Sequence, residues 1–126
     1  MSISEHNLSI IIVTIKSDKI IDRCLKSINN SNVPIIIVEN SNDENFTKQL
    51  ESKYKNIKCI LSNRNLGMGS GNNLGIREAQ TDYVFVLNPD VILEKNALNE
   101  LFEASKLLKD FSILSPISSD TKIKNY

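Results

Sequence analysis

The chain has few of the residues that common catalytic and metal sites require. Histidine occurs once, at His6 ahead of the first apolar run, so no Ser/His/Asp or Cys/His catalytic arrangement can be assembled. The two cysteines, Cys24 and Cys59, are isolated in apolar patterns, which argues against a zinc cluster or a disulfide framework. Small buried thiols in a reducing compartment are the simpler interpretation. No GxxxxGK[ST] pattern occurs, which excludes a P-loop.

Charge of neither sign is in excess, because fifteen basic residues balance fifteen acidic ones. Binding to nucleic acid through charge alone is therefore not indicated, and a small partner is favoured. The apolar run of residues 8–15 is short and is interrupted by Ser9 and Thr14, so it predicts neither a membrane span nor a signal peptide. With 126 residues and 40% hydrophobic content, the chain can form one core and is one domain or part of one.

Glycine is also scarce, and all four glycines lie in one stretch, residues 65–75. This stretch follows an apolar run that ends at Leu61 and precedes a helical pattern over residues 74–79, for which Ser70 or Asn72 is available as N-cap. The pattern predicts a strand-to-helix turn with unpaired N–H groups. Two interpretations stay open: the turn faces a ligand, or it only lets the helix pack closely on a sheet.

Apolar segments alternate between the pattern of buried strands and the spacing of helices. The predicted strands are residues 8–14, 34–38, 57–61, 83–87 and 111–114. Strands separated by helices predict βαβ units, and therefore a Rossmann-like α/β fold with a mainly parallel sheet and flanking helices. Ligands of such sheets bind beyond the carboxyl ends of the strands, where the strand order reverses. The candidate site segments are therefore residues 14–16, 39–40, 63–71 and 88–90.

Asn88, Pro89 and Asp90 follow the fourth predicted strand. A carboxylate just past a strand end is suited to holding a divalent cation that bridges phosphate oxygens. The alternative is an Asx-Pro turn in which Asp90 is solvated or caps the next segment. By themselves the three residues favour the turn, because Asn-Pro-Asp is ordinary turn chemistry.

The order of four segments resembles the family 2 glycosyltransferases. These segments are residues 9–14, 36–41, 65–76 and 82–90, and the similarity extends from about residue 8 to residue 116. More narrowly, the chain is similar to a rhamnosyltransferase-like branch that carries Asn-Pro-Asp in place of Asp-x-Asp. The resemblance implies an A-type glycosyltransferase (GT-A) fold, a nucleotide-diphospho-sugar donor such as a UDP- or dTDP-sugar, and a manganese or magnesium ion.

The resemblance also implies which residues bind the donor nucleotide. This set comprises Thr14, Ile15, Lys16, Glu39, Asn65, Gly67, Asn73 and Asn88. Within it, the segment that begins at Thr14 would line the base, and Glu39 would accept a hydrogen bond from the base or ribose. Ile15 and Lys16 stand where the family usually has an aromatic residue and Asn, which weakens base stacking. Glu39 stands in place of the usual Asp.

The diphosphate side of the donor is implied to lie at the glycine stretch and the fourth strand. Gly67 would let the backbone pass the nucleotide, and Asn73 would brace that turn. Asn88 would face the ribose, and Asp90 would ligate the metal ion. The ion would neutralise charge on the leaving diphosphate as a Lewis acid.

The sequence ends at Tyr126, whereas the family places its acceptor pocket and general-base carboxylate in a following segment. Residues 1–126 are therefore predicted to be the donor-binding portion of a truncated domain, without the acceptor-binding portion and without an assigned catalytic residue. The implied function is inverting, metal-assisted transfer to a glycan or lipid-linked acceptor, in the cytoplasm or peripherally at the inner face of the membrane. The competing hypothesis is a non-catalytic nucleotide-binding module, or an inactive fragment that self-associates through an exposed sheet edge.

Overall fold

The structure, a computed structural model, describes residues 2–28 and 32–117. In these residues, strands and helices alternate along the chain in the order β1 (Leu8–Thr14), α1 (Ile21–Ser27), β2 (Ile35–Glu39), α2 (Glu44–Lys53), β3 (Ile57–Leu61), α3 (Gly67–Glu78), β4 (Tyr83–Val86) and α4 (Ala97–Leu107). The strands form one sheet in the order β3-β2-β1-β4, and every pairing is parallel. The predicted Rossmann-like α/β fold with a parallel sheet and flanking helices is confirmed.

The two central strands are covered on both faces. Every residue of β1 and β2 is buried, as their continuous apolar sequences predict. Because side chains alternate along a strand, Ile10 and Ile12 enter a core cluster with residues of α1, α2 and α4. Ile11 and Val13 lie on the opposite face, against α3. The sheet is therefore sandwiched between α3 on one face and the other three helices on the other.

The strand order reverses once along the sheet. The chain proceeds outward from β1 through β2 to β3, and then returns to place β4 on the other side of β1. Right-handed crossovers that run in opposite directions put their helices on opposite faces, which explains why α3 lies apart from α1 and α2. The reversal falls between β1 and β4, and ligand sites of open parallel sheets lie at that point, beyond the carboxyl ends of the strands.

The helix after β3 begins earlier than the sequence pattern predicts. The predicted helix covered residues 74–79 with Ser70 or Asn72 as N-cap, but α3 begins at Gly67. Its N-cap residue, Leu66, makes no side-chain capping bond. The glycine stretch is therefore mostly the first half of α3 and not a turn that precedes the helix.

Close packing against the sheet explains why glycines are tolerated inside α3. A Cβ atom on Gly75 would lie 2.5 Å from Cγ2 of Ile11, and one on Gly71 would lie 3.0 Å from both methyl carbons of Val13. Any larger residue would push the helix away from the sheet. Tertiary packing thus offsets the low helix propensity of glycine, and the packing interpretation is correct for Gly71 and Gly75.

The predicted fifth strand, residues 111–114, is wrong. The sheet of the described chain has four strands, and none of them pairs with this segment. Ile113 is 88% exposed. An apolar composition predicts a strand, but a strand also needs a neighbour to pair with and an apolar layer to cover its side chains. The second strand is also displaced by one residue from the predicted 34–38, and the fourth ends at Val86.

Strands β3 and β4 form the two edges of the sheet within the described residues. At the β3 edge, the backbone N–H of Cys59 donates to Oε1 of Glu51 on α2 at 2.8 Å, and Lys58 forms an ion pair with Glu78 at 3.2 Å. Side chains of this kind discourage pairing with another chain. No helix in the described part of the chain is both long enough and apolar enough to cross a bilayer.

Candidate functional site

Thr14 and Glu39 are brought together at the carboxyl ends of β1 and β2, where they are aligned partners. Both residues are 0% exposed. Oγ1 of Thr14 donates to Oε1 of Glu39 at 3.3 Å, and the N–H of Asn40 donates to the carbonyl oxygen of Thr14 at 2.8 Å. These two predicted site residues therefore contact each other inside the protein.

The Glu39 carboxylate holds the turn between β2 and α2. Oε1 accepts from the hydroxyl of Ser41 at 2.6 Å, and Oε2 accepts from the N–H of Asp43 at 2.8 Å. The N–H of Ser41 lies within 3.2 Å of both oxygens. A buried carboxylate is tolerated only when such bonds replace its hydration. The direct partners of Glu39 are thus protein groups, and the turn that they shape begins α2, whose N-cap is Asp43.

Lys16 and Ser41 connect the ends of β1 and β2 above this buried pair. The N–H of Lys16 donates to Oγ of Ser41 at 3.1 Å, and Lys16 has a left-handed backbone with φ +48°. The neighbouring Ile15 is 40% exposed. Beside them is a shallow, open depression of about 500 Å³ with a polar lining. It is lined by Lys16, Ser41, Asn42, Asp43, Glu44 and Asn45.

The first turn of α3 lies at the same end of the sheet as the carboxyl ends of β1 and β2. Gly67 has φ +77°, a backbone conformation that favours glycine. Its N–H donates to Oδ1 of Asn65 at 2.9 Å, and its carbonyl oxygen accepts from Nδ2 of Asn40 at 3.1 Å. Within the described residues, a Cβ built on Gly67 or Gly69 would have no atom within 4 Å apart from its chain neighbours and the nearby backbone of α3. The ligand-facing interpretation therefore fits these two glycines, because helix N–H groups without an intrahelical partner lie at this end.

Asn40 is a site residue to which the sequence assigned no role. It is 2% exposed and connects the ends of β1 and β2 to the first turn of α3. Its Oδ1 is buried and has no hydrogen-bond partner in the described part of the chain. Its position directly after a buried strand had placed it in the candidate segment 39–40, but the sequence does not show its bond to Gly67. Asn73, which the sequence did select, lies on the exposed side of α3.

Asn88 and Asp90 lie just after the carboxyl end of β4, the strand next to β1. The carbonyl oxygen of Asn88 accepts from the N–H of Val91 at 3.2 Å, so these residues form a turn, as the Asx-Pro interpretation expects. Both side chains are on exposed residues. Burial raises the pKa of the Cys24 thiol to about 11, and the negative charge of Asp90 adds to this rise. The Asp90 carboxylate is therefore close enough to α1 to act on that thiol.

Asp90 is a single carboxylate and does not form a complete metal site of its own. Among residues 2–28 and 32–117, no three acidic, histidine or cysteine side chains form a group that could hold a cation. Magnesium and similar ions often bind through one or two carboxylates together with substrate phosphates and water. The ligand chemistry at Asp90 therefore fits a cation that is shared with a bound phosphate group.

Comparison with known proteins agrees with this architecture. The model of the family described as Glycosyl transferase family 2 matches residues 9–126. The hexosyltransferase Agl10 of low-salt glycan biosynthesis, from Haloferax volcanii, is 33% identical over an alignment of 114 residues, and the match covers 87% of this chain and 36% of that protein. The poly(ribitol-phosphate) beta-N-acetylglucosaminyltransferase TarP of Staphylococcus aureus is 29% identical over an alignment of 110 residues, and the match covers 79% of this chain and 33% of that protein.

A crystal structure of Staphylococcus aureus TarS, residues 1–349, shows the same fold, with a TM-score of 0.64 at 23% identity. The match covers 75% of this chain and 30% of that one. The chain thus spans about a third of the length of the relatives that it matches. The family expected from the order of the four segments is confirmed, while its rhamnosyltransferase-like branch stays a prediction. On its sequence match and its parallel α/β sheet, the chain belongs to glycosyl transferase family 2 and has the GT-A fold.

Proposed function

We propose that the candidate site at the carboxyl ends of the strands binds the nucleotide-diphospho-sugar donor of an inverting glycosyltransferase. The observation that carries the proposal is that four features lie together at the end of the sheet where the parallel strands have their carboxyl ends. These are the ends of β1, β2 and β4 and the open first turn of α3, at the point where the strand order reverses. Membership of a glycosyltransferase family supports sugar transfer as the overall reaction.

The base of a UDP- or dTDP-sugar would occupy the depression beside Ile15 and Lys16. Thr14 and Glu39 lie beneath this surface, so they would act mainly by holding the backbone of residues 15–16 and the hydroxyl of Ser41 in place. A direct bond from the Glu39 carboxylate to base or ribose would require it to release one of its bonds to Ser41.

The remaining donor would extend from the open end of α3 toward β4. Asn65 and Gly67 would flank the nucleotide, Asn73 would brace α3, and Asn88 would face the ribose. Asp90 would hold a manganese or magnesium ion, and such an ion, when bound, neutralises charge on the leaving diphosphate.

The acceptor would be a glycan or a lipid-linked saccharide. Agl10 is named for glycan biosynthesis and TarP for poly(ribitol-phosphate), and these names support a polymeric, hydroxyl-bearing acceptor. Inversion requires a base that deprotonates the acceptor hydroxyl, and no residue proposed here for donor binding has that role. A location in the cytoplasm or at the inner face of the membrane is part of the same proposal.

Calorimetric titration with UDP and with dTDP, each with and without manganese, tests donor binding. We expect manganese to strengthen binding, and Asp90→Ala to remove that gain, on the order of tenfold or more in Kd. Asp82→Ala is the matched control, because Asp82 is an exposed carboxylate that immediately precedes β4. It therefore lies at the amino end of the strand, opposite to Asp90. We expect it to bind as the unaltered chain does.

Each other outcome has a definite meaning. If neither nucleotide binds under any condition, donor binding is wrong and the inactive-fragment hypothesis is favoured. Manganese-dependent binding that Asp90→Ala leaves intact would place the cation elsewhere. Binding without transfer to any acceptor would agree with a nucleotide-binding module.

A further inference from the structure

We propose that α1 positions the loop that carries Asp90, through a hydrogen bond that the Ser27 hydroxyl accepts and one that the Cys24 thiol donates, with the backbone on either side of that residue. This proposal rests on the proposed function, in which Asp90 holds the cation that the diphosphate shares. Ser27 and Cys24 would contact neither donor nor cation. Their role would be to fix the direction of the carboxylate.

The Ser27 hydroxyl joins α1 to the far side of the loop. Its oxygen donates to the carbonyl oxygen of Cys24 at 2.6 Å and accepts from the N–H of Leu93 at 2.9 Å. A hydroxyl has one proton and two lone pairs, so the first bond orients the oxygen and leaves a lone pair directed at Leu93. The two residues are 66 positions apart in sequence, so this bond is tertiary.

The Cys24 thiol joins α1 to the near side of the loop. Its Sγ lies 3.7 Å from the carbonyl oxygen of Asn88, and the Cys24 side chain is buried. The next residue back along the chain, Leu87, is held to β1 by a bond from its N–H to the carbonyl oxygen of Ile11 at 2.9 Å. The start of the loop is therefore attached both to the sheet and to α1.

Between these two attachments the loop faces outward. Asp90 is exposed, and Ile92 is 52% exposed, whereas Val91 and Leu93 pack against the core cluster. Alternate residues thus anchor the loop or face solvent, and Asp90 is on the solvent side. Holding a ligand group in its bound geometry lowers the entropy cost of binding. A site with only one protein carboxylate depends strongly on that effect.

The test compares two hydroxyl deletions in the full chain. Ser27→Ala removes the acceptor of the Leu93 N–H. Thr47→Val is the matched control, because the Oγ1 hydroxyl of Thr47 makes the same kind of bond within α2, to the carbonyl oxygen of Glu44 at 2.7 Å, and in the described part of the chain it does not bond to the Asp90 loop. Each variant is examined by amide hydrogen exchange of residues 87–93 and by UDP binding with and without manganese.

We expect Ser27→Ala to speed exchange of the Leu93 amide by about five- to tenfold, the loss of one hydrogen bond. It should also weaken manganese-dependent UDP binding by a similar factor, while binding without manganese changes less than about twofold. Thr47→Val should leave both measurements as they are. Ser27→Thr, which keeps the hydroxyl, should restore both. Cys24→Ala should give a smaller change, because a thiol is a weak donor, and its exchange effect should fall at the Val91 amide, whose acceptor is the same carbonyl oxygen of Asn88.

The outcomes separate this proposal from the proposed function. If the unaltered chain binds UDP no better with manganese, the metal role of Asp90 fails, and positioning by α1 fails with it. If the unaltered chain shows the manganese effect and Ser27→Ala keeps it in full, only positioning is overturned. Unchanged exchange at Leu93 in Ser27→Ala also overturns it. Should Ser27→Ala not fold, Cys24→Ala decides by exchange at the Val91 amide and by manganese-dependent UDP binding, and no change in either would overturn positioning.

Discussion

Replacing Gly75 with alanine tests whether α3 is held at its observed distance from the sheet. The new Cβ would lie 2.5 Å from Cγ2 of Ile11 and 3.2 Å from Cγ2 of Val38, and both partners are 0% exposed in the centre of the sheet. Neither can move without displacing its own neighbours, so the overpacking cost should reach about 2–3 kcal/mol. Alanine regains about 1 kcal/mol of helix propensity. We expect the free energy of unfolding to fall by about 1–2 kcal/mol.

Gly69→Ala is the control in the same helix. In the described part of the chain, a Cβ on Gly69 would meet nothing within 4 Å beyond the nearby backbone of α3, so only the propensity gain applies, and the chain should become about 0.5–1 kcal/mol more stable. Urea denaturation followed by circular dichroism measures both variants, and the two substitutions should differ by about 2 kcal/mol. If Gly75→Ala proves as stable as Gly69→Ala, the close approach of α3 to the sheet is not what requires glycine there.

Two further predictions concern carboxylates outside the metal site. Glu39→Ala should lower the free energy of unfolding by about 2–4 kcal/mol in urea denaturation, because the N–H groups of Ser41 and Asp43 lose their acceptor. Glu39→Gln should lower it less. Equal urea midpoints for the unaltered chain and both variants would contradict the stabilising role of Glu39. The bond from Lys53 holds the pKa of Asp22 below its ordinary value of 3.8, so its stabilisation is present above that pH and is lost as pH falls through the lower pKa of the folded chain. Because the pair is about half exposed, the effect should be small, and Asp22→Asn should remove it; an unchanged acid unfolding midpoint would show that the pair contributes nothing.

The candidate site is supported by buried polar contacts beneath an exposed surface. Glu39 and Asn40 are almost fully enclosed, yet their bonds determine where Lys16 and the first turn of α3 lie. Under our proposal, Ser27 holds the backbone of the loop that carries Asp90 in the same way. Substitutions of such residues should alter ligand binding through the backbone that they hold, and this effect would be separable from direct contact by comparing structure and affinity.

Much of the fold follows from local pattern. The continuous β-branched runs that begin at residues 8 and 34 can only be buried on both faces, and the helical spacing between them requires right-handed crossovers to parallel strands. The same reasoning placed the polar residues after β1, β2 and β4 at one edge. The segment at residues 111–114 has the composition of a strand, but composition carries no information about whether a partner is available.

What the sequence by itself determined is the order of elements, the parallel sheet and the edge at which polar residues gather, because these depend on periodicity and chain connectivity. Only the tertiary structure decided which glycines pack and which stay open. Gly69 and Gly75 are both helical glycines, but only Gly75 has the sheet side chains Ile11 and Val38 close beneath it. It also decided that Glu39 is enclosed and that α1 reaches the Asp90 loop. Contacts between residues distant in sequence are set by how whole elements pack, and no local pattern contains them.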